Sequence, residues 1–148
     1  MMSVITQALG ENSIHLAANA ASWSEAITLA GNALERSGRT TTEYTSAMIA
    51  AFEELGPYMV IAPGIALAHA RPSSQVLSTG LSLVVLDNAV EFGSERFDPV
   101  RIVFGLAAID HDGHIDLMAG LGELLLDETK VNMLLQSDNE DEVRRLLG

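Results

Sequence analysis

Apolar positions along this chain follow a helical period at both ends and a strand-like run in the middle. Ala26, Leu29, Ala30, Ala33 and Leu34 recur at the three-and-four spacing that lines one face of a helix. Ser22-Trp23-Ser24-Glu25 opens that segment as a capping box, with the Ser22 hydroxyl accepting a backbone N–H and Glu25 reaching back to the cap. Ser37-Gly38 supplies the stop. A second stripe, Tyr44, Ala47, Met48, Ala51, Phe52 and Leu55, follows a repeat of the capping pattern at Thr40-Thr41-Thr42-Glu43 and ends at Gly56-Pro57. Together the two segments predict a helical hairpin.

The period changes at Met59. Val60-Ile61-Ala62 and Ile65-Ala66-Leu67 flank Pro63-Gly64, which predicts extended chain broken by a sharp turn. Leu81–Leu86 and Val100–Leu106 are short apolar runs bounded by turn residues, as strands buried on both faces of a sheet should be. Asp87-Asn88 reads as a turn leading to a short Val90-Glu91-Phe92 segment. Beyond Asp110-His111-Asp112-Gly113, helical spacing returns from His114 through Leu126, and two more helices are predicted over Glu128–Leu135 and Glu140–Leu147. The last of these opens with acidic residues and closes with Arg144 and Arg145, as the helix dipole favours. Helices, strands, then helices predict a single α/β domain over residues 1–148, a mixed β-sheet flanked by helices on both faces.

Composition narrows the function classes. A chain of 148 residues with 48% hydrophobic side chains can bury one core without staples, and with no cysteine it has neither a disulfide framework nor a thiolate metal site. Eight Lys and Arg against twenty Asp and Glu set the formal charge at -12, a field that repels nucleic acid and either steers a basic protein partner or simply keeps the protein soluble. The first basic residue is Arg36, so a secretory signal is not expected, and the apolar runs are too short for membrane insertion. The expected location is the cytoplasm. An apolar patch outside the core would mark a homodimer face.

Histidine is where chemistry is to be sought, and the four are His15, His69, His111 and His114. In Ala66-Leu67-Ala68-His69-Ala70-Arg71-Pro72, an imidazole and a guanidinium at alternate positions would face one side of extended chain, a pairing that suits an anion. A neutral imidazole nitrogen among apolar neighbours can attack phosphorus. The same residues also read as a hydrogen-bonded wall histidine and a surface arginine. His15, between Ile14 and Leu16, reads as a strand residue near a sheet edge and receives no function. His111, His114 and Asp116 invite a metal reading, yet their spacing differs from the helix-borne H-E-x-x-H pattern. His114, near a helix start, alternatively donates a hydrogen bond to an anion, with backbone N–H groups helping. The chain contains no G-x-x-x-x-G-K, G-x-G-x-x-G or G-x-S-x-G, which disfavours a nucleotide site or a serine hydrolase.

The run from Phe52 to Pro72, with Gly56-Pro57-Tyr58-Met59-Val60-Ile61-Ala62-Pro63-Gly64 and His69 within it, resembles the active-site signature of IIA (EIIA) components of the sugar phosphotransferase system, fructose/mannitol class, ascorbate-type branch. The resemblance implies an EIIA type-2 domain of mannitol-type fold. It implies that His69 accepts a phosphoryl group from the phosphocarrier protein HPr and passes it to a IIB component during carbohydrate uptake. His114 matches the family's second active-site histidine, which stabilises the phosphorylated state, and Arg71 is the leading anion contact. The resemblance implies no cofactor and no metal. Two departures stand out: Ala68 replaces the proline that often precedes the reactive histidine, and Phe52 stands where many mannitol-type members carry arginine. Two other roles remain open, a regulatory phosphoprotein that acts on a transcription factor or kinase through the same residues, and a metal-binding protein using His111, His114 and Asp116.

Overall fold

A computed structural model describes residues 3–148. Its centre is a five-stranded sheet in the order β1-β4-β5-β3-β2, formed by β1 (Ile14–Ala18), β2 (Val60–Ala62), β3 (Ile65–His69), β4 (Gly80–Val90) and β5 (Val100–Ala107). The sheet is mixed: β1 with β4 and β3 with β5 run parallel, while β4 with β5 and β2 with β3 run antiparallel. His15 lies on edge strand β1, as its flanking residues predict. Gly64 turns the chain between β2 and β3 with φ 75°, a conformation open to glycine because it has no Cβ.

Both faces of the sheet are covered. Helices α2 (Trp23–Arg36) and α3 (Thr42–Leu55) form the expected hairpin and bury Ile27, Leu34, Met48 and Phe52 with Ala66, Ala68, Val84 and Val103. On the other face α1 (Val4–Ala8), α4 (His111–Leu125), α5 (Glu128–Gln136) and α6 (Glu140–Leu147) enclose Leu67, Leu83, Ile102 and Phe104. Each large side chain buried in these layers contributes about 1.5–3 kcal/mol by leaving water. Ser82, buried near the start of β4, donates to the Ala30 carbonyl at 2.8 Å and so ties sheet to helix without an unpaired hydroxyl.

Several local expectations are corrected. No turn forms at Asp87-Asn88: β4 runs through both to Val90, with its register to β5 shifting between Val85 and Val90. The Asn88 amide pairs with the Ala20 backbone, donating at 2.6 Å and accepting at 3.1 Å, so the side chain that signals a turn serves a neighbouring loop instead. Thr41, not Thr40, caps α3, and without a side-chain bond to the helix. Helix α4 begins at His111, ahead of the expected His114, because Asp110 accepts from the Gly113 N–H at 2.8 Å. Helix α1 and the 3₁₀ turn Pro57–Met59 carry no sequence signal strong enough to predict them.

Candidate phosphoryl-transfer site

Alternation along β3 sends Ile65 and Leu67 into the α4 face of the core and Ala66 and Ala68 into the opposite face. His69, the last residue of β3, follows Leu67 in that alternation. Its Nδ1 lies 2.9 Å from the Leu67 carbonyl oxygen. A carbonyl can only accept, so Nδ1 carries the proton and Nε2 keeps its lone pair. Burial holds the His69 pKa below the ordinary histidine value, the Leu67 hydrogen bond opposes that shift, and neighbouring His114 reinforces it. The ring is therefore a neutral base with one nitrogen available.

The His69 and His114 ring centroids are 6.1 Å apart, and the Tyr58 ring meets His69 edge-on at 5.5 Å. All three line an open cleft of about 980 Å³ together with Arg71, His111 and Glu54. Arg71 sits in the exposed segment after β3, so the imidazole and guanidinium that the spacing pairs do share one cavity. The cleft thus gathers an imidazole with a free nitrogen lone pair, two further imidazoles and a guanidinium, a set suited to meeting a tetrahedral oxyanion.

Residues 7–148 match the family described as phosphoenolpyruvate-dependent sugar phosphotransferase system, EIIA 2. The chain belongs to that family. It is 34% identical over 138 residues to the mannitol-specific cryptic phosphotransferase enzyme IIA component of Escherichia coli (strain K12), covering 93% of each chain. It is 36% identical over 145 residues to the ascorbate-specific PTS system EIIA component of the same strain, covering 97% of this chain and 94% of the relative. Its fold superposes with a TM-score of 0.83 and 34% identity on the enzyme IIA of the Escherichia coli complex of IIAMTL with phosphorylated IIBMTL, over 94% of this chain and 96% of that one. The mannitol-type fold implied by the sequence resemblance is the fold of this EIIA.

Within this EIIA, starting α4 at His111 puts His111 and His114 three apart on one helical face, where the sequence spacing across Gly113 had argued against a shared face. Asp116 falls two positions beyond His114, on another side of the helix, and is not part of the cleft wall. Among the described residues no three His, Cys, Asp or Glu side chains gather as a metal cluster, so the set His111, His114 and Asp116 is not assembled. The helix end is also less open to an anion than expected. Asp110 already holds the Gly113 N–H, and the His114 N–H bonds the Asp110 carbonyl at 3.3 Å, leaving the imidazole as the donor His114 can offer.

Phe52 is a core residue, stacked on Trp23 at 4.2 Å between centroids and edge-on to Phe92 at 5.8 Å. It contributes nothing to the cleft, so no charge arrives from that position. Tyr58 joins the cleft wall without standing among the sequence-based candidates; an aromatic directly after a helix stop and before a buried strand is the signal that points to it. Among the described residues no helix is long and apolar enough to cross a membrane.

Proposed function

We propose that this EIIA component, a single type-2 domain over residues 1–148, is a cytoplasmic phosphocarrier that accepts a phosphoryl group from phospho-HPr on His69 and passes it to an ascorbate-type IIB component. The observation that carries the reading is the bond from His69 Nδ1 to the Leu67 carbonyl, which leaves Nε2 as the nucleophile. In the step, Nε2 forms a bond to phosphorus as the bond between phosphorus and the donor's histidine nitrogen breaks, and that electron pair returns to the donor ring. The proton on His69 Nδ1 stays in place, and the Leu67 carbonyl stabilises the positive charge the ring gains. His114 and Arg71 hold the phosphoryl oxygens, because transfer of this kind is governed by positioning and charge stabilisation. Delivery reverses these bond changes on the partner's nucleophile.

Phosphorylated IIB is the partner named for the mannitol relative, which supports a IIB acceptor here. The Gly56-Pro57-Tyr58 motif and the ascorbate-specific relative support the ascorbate branch. The test is transfer from labelled phosphoenolpyruvate through enzyme I and HPr to the wild type and to His69→Ala, followed by chase onto ascorbate-type and mannitol-type IIB proteins. Acid-labile label on the wild type alone, chased faster to the ascorbate-type acceptor, is the expected result. Equal labelling of both chains would remove His69 from the mechanism.

A further inference from the structure

At the end of β3 a side chain joins the hydrogen bonding of the sheet. Tyr44, on α3, is 1% exposed, yet its hydroxyl meets only backbone. It accepts from the Ala70 N–H at 3.0 Å, donates to the Leu106 carbonyl at 2.8 Å, and lies 3.1 Å from the Ala70 carbonyl. Leu106 is the residue of β5 paired with His69. The phenol oxygen therefore stands between the first amide beyond the strand and the carbonyl beside the strand's last residue. One hydroxyl thus bonds both backbones at the last pair of the ladder. The bridge sits directly after His69, where the chain turns into the cleft with Arg71.

We propose that Tyr44 is a positioning residue for phosphoryl transfer, its hydroxyl clamping Ala70 so that His69 Nε2 and the Arg71 guanidinium address the same anion. A phenylalanine would fill the same apolar space but leave the Ala70 N–H and the Leu106 carbonyl without that partner. Burial, with a smaller contribution from Tyr58 and against the Ala70 hydrogen bond, pushes the Tyr44 hydroxyl up to about 12, so it stays protonated at neutral pH. It orients groups and exchanges no proton. The effect on rate rests on the phosphocarrier reading above; the effect on the geometry of His69 does not.

The experiment compares wild type, Tyr44→Phe and Val143→Ala, the last a core truncation in α6 away from the cleft. Each is assayed for phosphoryl uptake from phospho-HPr at a temperature where all are folded, and the unphosphorylated His69 ring nitrogens are recorded by ¹⁵N NMR. Tyr44→Phe is expected to accept phosphate about 10-fold more slowly and to shift the His69 ring signals, while Val143→Ala does neither. A wild-type rate, unmoved ring signals, or equal slowing in both variants would overturn the proposal. If the wild type takes no label, the phosphocarrier reading fails and the ring signals alone decide the role of Tyr44. If Tyr44→Phe does not fold, amide exchange on the wild type decides: Ala70 is expected to be protected like a strand amide, and exchange at the rate of an open loop would overturn the clamp.

Discussion

The carbonyl of Leu67 fixes which nitrogen of His69 keeps a free lone pair. The two residues are neighbours on one side of β3, and the 2.9 Å contact between them uses Nδ1, the nitrogen nearer the main chain. A ring held by its own strand cannot rotate to exchange its two nitrogens without breaking that bond.

Phosphate is therefore expected on Nε2 of His69. Two-dimensional ¹⁵N–¹H NMR of the phosphorylated protein, with the ring nitrogens labelled, distinguishes the isomers. Phosphate on Nδ1 would mean that the Leu67 bond does not survive in the reacting state.

The pH response follows from burial. The native His69 pKa is lowered from 6.5, so over the interval between the two values the unfolded chain binds the proton and the folded one does not. Stability is therefore complete above about pH 6.5 and declines as pH falls toward the native value. His15 adds in the same direction, lowered first by burial and then by Arg36. The expected results are a melting temperature that drops on the acid side of neutrality and a His69 ring titration with a midpoint below 6.5. A midpoint above that value would show that the proton is welcomed rather than excluded.

His114 and Arg71 should separate in their effects. His114→Ala is expected to accept label but to lose it to water faster or deliver it more slowly, because the neighbouring donor is gone. Arg71, exposed on the cleft rim, should show an uptake loss of about 10-fold in Arg71→Ala with partial recovery in Arg71→Lys, and a folding free energy within about 0.5 kcal/mol of wild type. Single-turnover transfer, phosphoprotein lifetime and urea unfolding measure these effects. Unchanged transfer in Arg71→Ala would return that side chain to the surface.

The helical hairpin beneath the site depends on Gly31. A Cβ there would strike the Thr45 side chain, whose hydroxyl donates to Glu35 at 2.7 Å. Gly31→Ala is expected to destabilise the fold by about 1–3 kcal/mol through overpacking, and adding Thr45→Ala should restore part of the loss. Denaturant unfolding of the two single variants and the double variant gives the coupling, and strict additivity would place the strain elsewhere.

By itself the sequence determined the helical hairpin, the Pro63-Gly64 turn, the buried central strands and the family, because these depend on local periodicity and contiguous motifs. The positions of α2, α5 and α6 follow from the same short-range signals. The tertiary structure decided what depends on distant partners. Asn88 continues a strand because its amide is satisfied by Ala20, and Asp110 moves the start of α4 back so that His111 and His114 share a face. Tyr44 reads in the chain as one more apolar position of a helix stripe; only the folded sheet brings the Ala70 amide and the Leu106 carbonyl to its hydroxyl. Periodicity says which face of an element is buried, whereas hydrogen-bond partners far apart in sequence are chosen when the faces meet.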